Sequence, residues 1–159
     1  MKTYYFRDMV KSRNPRFKEY VQLKIDRNEF LKTIGFNINI IEEGRIEGVL
    51  PFLKSLEQQN GYFHGGVISS LCDMACGYAA YSLVGDGEQV FTVEIKVSYL
   101  RKGVGDRLIA KGQVVKAGNN FHFCEAEIFA ENDRGTKLIA KATSTMAIVK
   151  EKLGDKYGD

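Results

Sequence analysis

The chain has 159 residues, of which 44% are hydrophobic and 27% are charged. This length allows one domain of ordinary size, and the composition is that of a globular protein, which excludes a disordered or collagen-like chain. The formal net charge of +3 is too small to indicate nucleic-acid binding. The sequence contains no apolar run of roughly 18 residues and no signal-peptide h-region, so we expect a cytoplasmic protein without membrane contact.

Residues 1–34 form a basic segment with nine Lys and Arg against four Asp and Glu. Asn14 followed by Pro15 is typical of a helix start, and apolar residues spaced through 17–34 predict one or two amphipathic helices. We therefore assign residues 1–34 to a helical extension, 35–149 to the main domain and 150–159 to a flexible charged tail. The sequence predicts no chemistry for the extension.

A hairpin and a long helix are predicted next. The β-prone runs 35–41 and 46–53 flank a turn that contains Gly44. Residues 66–84 contain a single formally charged residue, Asp73, so we expect a helix that is buried nearly all round. Burying an unpaired carboxylate is costly, so Asp73 requires either a hydrogen-bonding partner such as Ser69 or Ser70 or a cavity to face. The residues alone leave both alternatives open.

The second half of the chain changes to a period of two residues. Phe91, Val93 and Ile95 alternate with Thr92 and Glu94, which predicts a strand with one buried face. Further β-prone runs at 107–116, 121–131 and 136–149 are separated by short polar turns, which predicts an antiparallel meander of four successive strands. The whole pattern predicts an α+β protein of the hotdog fold, an antiparallel β-sheet wrapped around a long central α-helix.

Two local features have alternative explanations. Cys72 and Cys76 have a spacing that suits two zinc ligands, but buried thiols are the favoured interpretation because no further ligands are in view, and we predict no metal. The N–H groups of Gly65 and Gly66, at the start of the helix, could bind a carbonyl oxygen that becomes an oxyanion. Taken alone, the His64-Gly65-Gly66 tripeptide is more simply explained as a turn into a helix.

The combination is more specific than its parts. The stretch NGYFHGGVISSLCDMACGYAA (60–80) with FTVEIKVSYLRKGVGDRLIAKGQVVKAGNNFHF (91–123) resembles the hotdog-fold acyl-CoA thioesterases of the phenylacetate-degradation type, in the 4-hydroxybenzoyl-CoA thioesterase superfamily. The resemblance covers residues 34–149. It includes an acidic residue nine positions after the His of the HGG turn, and a T-x-E strand that continues to Y-L-R at 99–101.

This resemblance implies hydrolysis of acyl-CoA thioesters and a role for each matching residue. Asp73 would be the nucleophile or the general base, and Gly65, with Gly66, would polarise the thioester carbonyl through backbone N–H groups. His64 would orient the turn, and Thr92 would help to position the attacking water.

The resemblance also indicates substrate-binding positions. The family has Asn or Gln six residues before the His, where this chain has Gln58, and Asn60 two residues later is the alternative. Two groups of residues are expected to contact coenzyme A. They are the basic pair after the strand that begins at Phe91, Arg101 and Lys102, and the turn after the run 107–116, Gly118 and Asn119. Each basic residue is equally well explained as part of a solvated strand face.

No metal or redox cofactor is implied, because coenzyme A is itself part of the substrate. The family resemblance further implies a homodimer or homotetramer, in which the helix of one subunit and the HGG turn of another complete each site. Two alternative functions remain: a hotdog-fold acyl hydratase or dehydratase, and a non-catalytic acyl-CoA binding or regulatory protein.

Overall fold

The computed structural model describes residues 10–150 and begins with two short helices. They are α1, Phe17–Asp26, and α2, Glu29–Ile34, as predicted. The side chain of Asn28 caps α2 by accepting a 3.0 Å hydrogen bond from the Leu31 N–H. Gly35 ends the helix in the left-handed conformation, with φ 80°. The predicted flexible tail, apart from residue 150, lies outside the described residues.

The remaining elements begin and end close to the predicted positions. They are β1 Asn37–Glu42, β2 Arg45–Pro51, a 3-10 turn Lys54–Leu56, α3 Gly65–Tyr81, β3 Glu88–Tyr99, β4 Arg107–Ala117, β5 Phe121–Asn132 and β6 Gly135–Lys150. Gly44 has φ 69° in the turn between β1 and β2, a conformation that favours glycine. The first hairpin is therefore confirmed.

The six strands form one antiparallel sheet in the order β1-β2-β4-β5-β6-β3, and α3 packs against it, so the α+β hotdog fold is confirmed. The predicted meander of four successive strands is wrong in one respect. Only β4, β5 and β6 are sequential neighbours, because residues 100–106 carry the chain from β3 across the sheet and β3 pairs with β6 instead. Strand β3 is consequently an edge strand.

Close backbone packing seats α3 on the sheet. A Cβ atom added at Gly112 of β4 would lie 2.1 Å from the Ala75 carbonyl oxygen, so only glycine allows the helix to approach β4 this closely. Leu71, Ala75 and Ala79 of α3 are completely buried. The 17-residue helix extends about 25 Å along the sheet.

The N-terminal helices belong to the same core. Val21 is completely buried and Ile25 nearly so, in one cluster with α3 and the sheet. The Tyr20 hydroxyl donates a 2.7 Å hydrogen bond to the Glu88 carbonyl, and Arg13 forms an ion pair with the Glu88 carboxylate at 2.8 Å. The extension is thereby held against the beginning of β3. Across residues 10–150 the protein has no helix that combines the length and apolar character needed to cross a membrane.

Candidate active site

Asp73 lies at the middle of α3 and is only partly buried. Its Oδ1 atom accepts a 2.7 Å hydrogen bond from the Thr92 hydroxyl. The expectation of a helix buried nearly all round is wrong along one stripe, because Ser70, Asp73, Gly77 and Tyr81 are each partly exposed. Asp73 therefore has both of the features that the sequence left as alternatives: a hydrogen-bonding partner and a cavity to face.

A β-bulge directs Thr92 toward Asp73. The register of β3 against β6 shifts between Thr92 and Glu94, so that Thr92 pairs with the buried Met146. The alternation predicted for this strand is wrong at both ends: Phe91 and Val93, expected to be buried, are 58% and 59% exposed, and Tyr99 on the same predicted face is 53% exposed. Bulges beside active sites commonly re-aim a side chain in this way.

The His64 side chain caps α3. Its Nδ1 atom accepts a 2.9 Å hydrogen bond from the Gly66 N–H, so that nitrogen carries no proton. The expectation that the Gly66 N–H binds substrate needs correction, because that donor is already used within the turn. The Gly65 N–H has no acceptor within residues 10–150, and it points from the positive end of a 17-residue helix.

Tyr99 fixes the first turn of the helix. Its hydroxyl donates a 3.0 Å hydrogen bond to the Gly65 carbonyl oxygen and also contacts the Ser69 hydroxyl. A Cβ atom at Gly65 would lie 3.7 Å from the Tyr99 ring, which is ordinary van der Waals contact. The end of β3 thus holds the helix start, a role that the sequence pattern did not assign to Tyr99.

Within one chain, the carboxylate and the helix start line different cavities. Asp73 and Thr92 line a cavity of about 490 Å³. His64 and Gly65 line a second cavity of about 310 Å³. Because Asp73 follows Gly65 by eight residues, the two are separated by about 12 Å along the helix axis. Within one chain, Asp73 and Gly65 therefore do not share a cavity.

Half of the predicted polar residues line the second cavity. Gln58, Arg101 and Lys102 line it together with His64 and Gly65. Arg101 donates a 2.8 Å hydrogen bond to the carbonyl oxygen of Leu138, and the Lys102 Nζ atom lies 5.1 Å from the centroid of the Tyr62 ring.

Gln58 rather than Asn60 contributes a side chain to this cavity. Asn60 is exposed, lies outside the cavity lining, and donates its backbone N–H to the Gln58 Oε1 atom at 3.2 Å. The structure therefore brings Gln58, and not Asn60, beside the HGG turn.

Gly118 and Asn119 lie at the opposite end of the sheet from Arg101 and Lys102. They form the turn between β4 and β5, where the Gly118 N–H donates a 2.9 Å hydrogen bond to the Phe121 carbonyl. Phe121 and Phe91 both pair with Ala147, so this turn is level with the beginning of β3. The eight residue steps from Phe91 to Tyr99 span roughly 26 Å, so one chain does not bring the predicted coenzyme A contacts together.

Sequence reasoning missed part of the first cavity. Asn28 from the N-terminal extension, Gly77 and Tyr78 from α3, and Met146 from β6 also line it. The Asn28-Glu29 pair carries the signal of a helix cap, which could have placed a helix start there. No local signal connects that cap with Asp73, because the two lie 45 residues apart in the chain.

The three cysteines are free and buried. Burial raises the pKa of the Cys72 and Cys124 thiols to about 12, with the nearby Asp73 carboxylate adding to the effect at Cys72. Burial also raises the pKa of Cys76. Thiols in this state are protonated and are poor nucleophiles. Asp73 is therefore the candidate reactive group at the centre of α3.

Comparisons with known proteins agree with this fold. The family model of the thioesterase superfamily matches residues 60–137. The crystal structure of a thioesterase family protein from Silicibacter pomeroyi is 34% identical, with a TM-score of 0.83, over 84% of this chain and 98% of that one.

Two curated relatives are named as a CoA hydrolase and as an acyl-CoA thioesterase. The 1,4-dihydroxy-2-naphthoyl-CoA hydrolase of Listeria monocytogenes is 27% identical over 76% of this chain and 96% of its own length. The medium/long-chain acyl-CoA thioesterase YigI of Escherichia coli is 30% identical over 54% of this chain and 61% of its own length. The fold, the family match and the 34% identity to a solved family protein lead to one conclusion: this chain belongs to the thioesterase superfamily.

Proposed function

We propose that this protein hydrolyses acyl-CoA thioesters to a free acid and coenzyme A, with Asp73 as the catalytic carboxylate. The observation that carries the proposal is the hydrogen bond from Thr92 to Asp73 at the wall of a 490 Å³ cavity. The acyl-CoA substrates in the names of the relatives support it. A carboxylate held in a fixed direction beside a cavity is suited to attack a thioester or to activate water.

The proposed reaction has two versions that share one oxyanion. In the first, Asp73 takes a proton from water, and the water oxygen attacks the carbonyl carbon while Thr92 keeps the carboxylate oriented. In the second, an Asp73 oxygen attacks directly, and water then hydrolyses the mixed anhydride. In both versions the oxyanion accepts a hydrogen bond from the Gly65 N–H, the C–S bond breaks, and coenzyme A leaves as a thiolate that takes up a proton. Neither version needs a metal or a redox cofactor.

The proposed active unit is a homodimer formed through the edge of β3. The twelve-residue strand β3 pairs with β6 along one side only, and such a sheet edge is a liability unless another strand covers it. Antiparallel pairing of two copies, centred near Ile95, would place Thr92 of one subunit close to Tyr99 of the other. Thr92 contacts Asp73 and Tyr99 contacts Gly65, so each pairing would bring Asp73 of one subunit near Gly65 of the other.

The same pairing reconciles the predicted coenzyme A contacts. Arg101 and Lys102 of one subunit would approach the turn at Gly118 and Asn119 of the other, although these residues lie at opposite ends of β3 within one chain. The basic pair would then meet the phosphates of coenzyme A.

A tetramer of two such dimers and a cytoplasmic location complete the proposal. Phe91, Phe121 and Phe123 on the outer face of the sheet are 58%, 45% and 47% exposed, an apolar surface that a second dimer would cover. Three free buried thiols agree with a reducing compartment.

The direct test is thiol release from a panel of acyl-CoA substrates that differ in length and aromaticity. Hydrolysis with production of free coenzyme A supports the proposal. Binding without thiol release would instead support a non-catalytic acyl-CoA sensor, and addition of water across an enoyl-CoA with the thioester intact would indicate a hydratase.

A further inference from the structure

Gly77 is an unusual residue at its position in the fold. It lies inside the 17-residue helix α3, where glycine is less favourable than alanine because it loses more backbone freedom on folding. Its backbone does not adopt a positive φ, and a Cβ atom added there would meet nothing within 4 Å. Gly112, by contrast, is required by the close approach of Ala75. The folded chain therefore gives no packing reason for glycine at 77.

The position of Gly77 in the first cavity supplies a reason. Gly77 lies one helical turn after Asp73, on the same face of α3, and both residues line the 490 Å³ cavity. The missing side chain leaves a path open beside the carboxylate in this cavity. Met74, Val90 and Met146 also line the cavity and offer apolar surface.

A polar group lies at the wall of the same cavity. Tyr78 is 6% exposed, and its hydroxyl oxygen accepts a 2.9 Å hydrogen bond from the Asn28 Nδ2 atom. The orientation of the Asn28 amide is fixed, because its Oδ1 atom accepts from the Leu31 N–H. Asn28 must therefore be the donor to Tyr78, and the Tyr78 proton must point elsewhere.

The Tyr78 proton has no acceptor within residues 10–150, and both Tyr78 and Asn28 line the cavity. Burial raises the pKa of Tyr78, which keeps the phenol protonated and able to donate. A buried donor without an acceptor favours a ligand that supplies one.

We infer that Gly77 and Tyr78 determine which acyl groups the proposed thioesterase accepts. The acyl group extends from Asp73 over Gly77, and the Tyr78 hydroxyl donates a hydrogen bond to an oxygen atom carried near the distal end of that group. The preferred substrates are acyl groups of several carbons that carry a ketone, hydroxyl or carboxylate oxygen. This inference rests on the proposed function, since it assigns the acyl pocket of the same site.

Gly77→Ala tests the path. A methyl group at this position stabilises the helix and narrows the cavity, so the melting temperature should remain equal or rise. Values of kcat/KM across a series from acetyl-CoA to decanoyl-CoA should fall by about tenfold or more for the longest acyl groups that the parent accepts, and change little for acetyl-CoA. The assignment would be overturned if kcat/KM changed equally across the series or did not change at all. Dissociation of the oligomer would also overturn it, because Gly77 would then serve subunit packing.

Tyr78→Phe tests the donor, with Tyr20→Phe as the matched control. The Tyr20→Phe substitution removes a hydroxyl that is hydrogen-bonded to the Glu88 carbonyl, and Tyr20 lies outside the cavity lining. The substrates are oxoacyl-CoAs with the ketone at different positions, each paired with its methyl-branched isostere. For the oxoacyl-CoA with the ketone at one particular position, kcat/KM of the parent and of Tyr20→Phe should exceed that for the paired isostere by about tenfold. Tyr78→Phe should lose that preference. Equal preference in Tyr78→Phe and the parent, or no preference in the parent, would contradict the inference.

Binding measurements separate this inference from the proposed function. Calorimetric affinities of the parent and Gly77→Ala for the same acyl-CoA series do not depend on hydrolysis. If the parent releases no thiol but Gly77→Ala still loses affinity selectively for long acyl groups, the proposed function fails and the pocket assignment stands. If thiol release occurs and the affinities of the variant follow those of the parent at every length, the pocket assignment fails alone.

Discussion

The Thr92 hydroxyl donates a 2.7 Å hydrogen bond to Asp73, and a β-bulge in β3 brings this hydroxyl to the helix side of the sheet. The contact joins the edge strand to the middle of α3 at the wall of the larger cavity. It leaves the second oxygen of the carboxylate available to water or substrate. Thr92 is therefore a positioning residue for Asp73 in the proposed reaction.

Thr92→Val should lower kcat by about tenfold with little change in KM, because it keeps the side-chain shape and removes one hydrogen bond to a charged group. Thr92→Ser keeps the hydroxyl and is the matched control, which should retain most of the activity. Steady-state kinetics on both variants decide the point. Equal activity of Thr92→Val and the parent would show that the hydrogen bond has no role in turnover.

Gly65→Pro should remove the proposed oxyanion donor without removing the helix. Gly65 is the first residue of α3, where proline is well tolerated, and His64 before it has φ −64° and ψ 140°, a conformation compatible with a following proline. The expected loss in kcat is about 10²-fold to 10³-fold, the scale of removing one oxyanion donor. The measurement is single-turnover hydrolysis, with circular dichroism as the check on folding.

Gly65→Ala is the control for that experiment, because it adds the same Cβ atom beside Tyr99 and keeps the N–H. It should retain far more activity than Gly65→Pro. Similar losses in the two variants would assign the effect to steric contact with Tyr99 and not to the donor.

Mixing two inactive variants tests the shared site. In a dimer assembled from Asp73→Asn and Gly65→Pro subunits, one of the two sites would contain a normal Asp73 and a normal Gly65. Equal amounts, unfolded and refolded together, should recover about a quarter of the parent activity, since half of the dimers are mixed and each has one intact site. Activity no higher than that of the separate variants would place both residues in a site within one chain.

His122 should make the fold sensitive to acid. It is 2% exposed, and neither ring nitrogen has a hydrogen-bond partner within residues 10–150. Burial and, to a smaller extent, the nearby Arg13 lower the pKa of His122 to about 4, and Glu88 opposes the shift. The unfolded chain therefore binds a proton near pH 6.5 that the folded chain excludes until about pH 4.

The free energy of unfolding should fall between those two pH values, by roughly 3 kcal/mol in total from this group. In His122→Leu that pH-dependent loss should be smaller by the same amount, because the leucine has no proton to gain. Urea unfolding at several pH values measures the difference. Parallel pH profiles for His122→Leu and the parent would show that His122 does not set the acid response.

Local patterns predicted the elements and the motif, because turn glycines, helix starts and a period of two residues are properties of neighbouring residues. Gly44, the beginning of α3 and the start of β4 all lie at or near their predicted positions. The spacing between His64 and Asp73 likewise belongs to one continuous stretch of chain.

Contacts between distant parts of the chain could not be predicted in this way. The pairing of β3 with β6 and the bulge at Thr92 depend on register between strands about 50 residues apart. For that reason the exposure of Phe91 and Val93 was predicted wrongly. The bond between Asn28 and Tyr78 joins the extension to α3 across 50 residues, and no periodicity in the sequence indicates it.

The central claim is that Asp73 performs the chemistry, and Asp73→Asn tests it most directly. The amide keeps the size of the side chain and can still accept the hydrogen bond from Thr92, so the melting temperature and the affinity for acyl-CoA should remain near those of the parent. Turnover should fall by about 10²-fold or more, the scale of losing a positioned base or nucleophile. Hydrolysis rate, melting temperature and affinity are measured on one preparation. A folded Asp73→Asn protein that binds acyl-CoA and hydrolyses it at the parent rate would contradict the account.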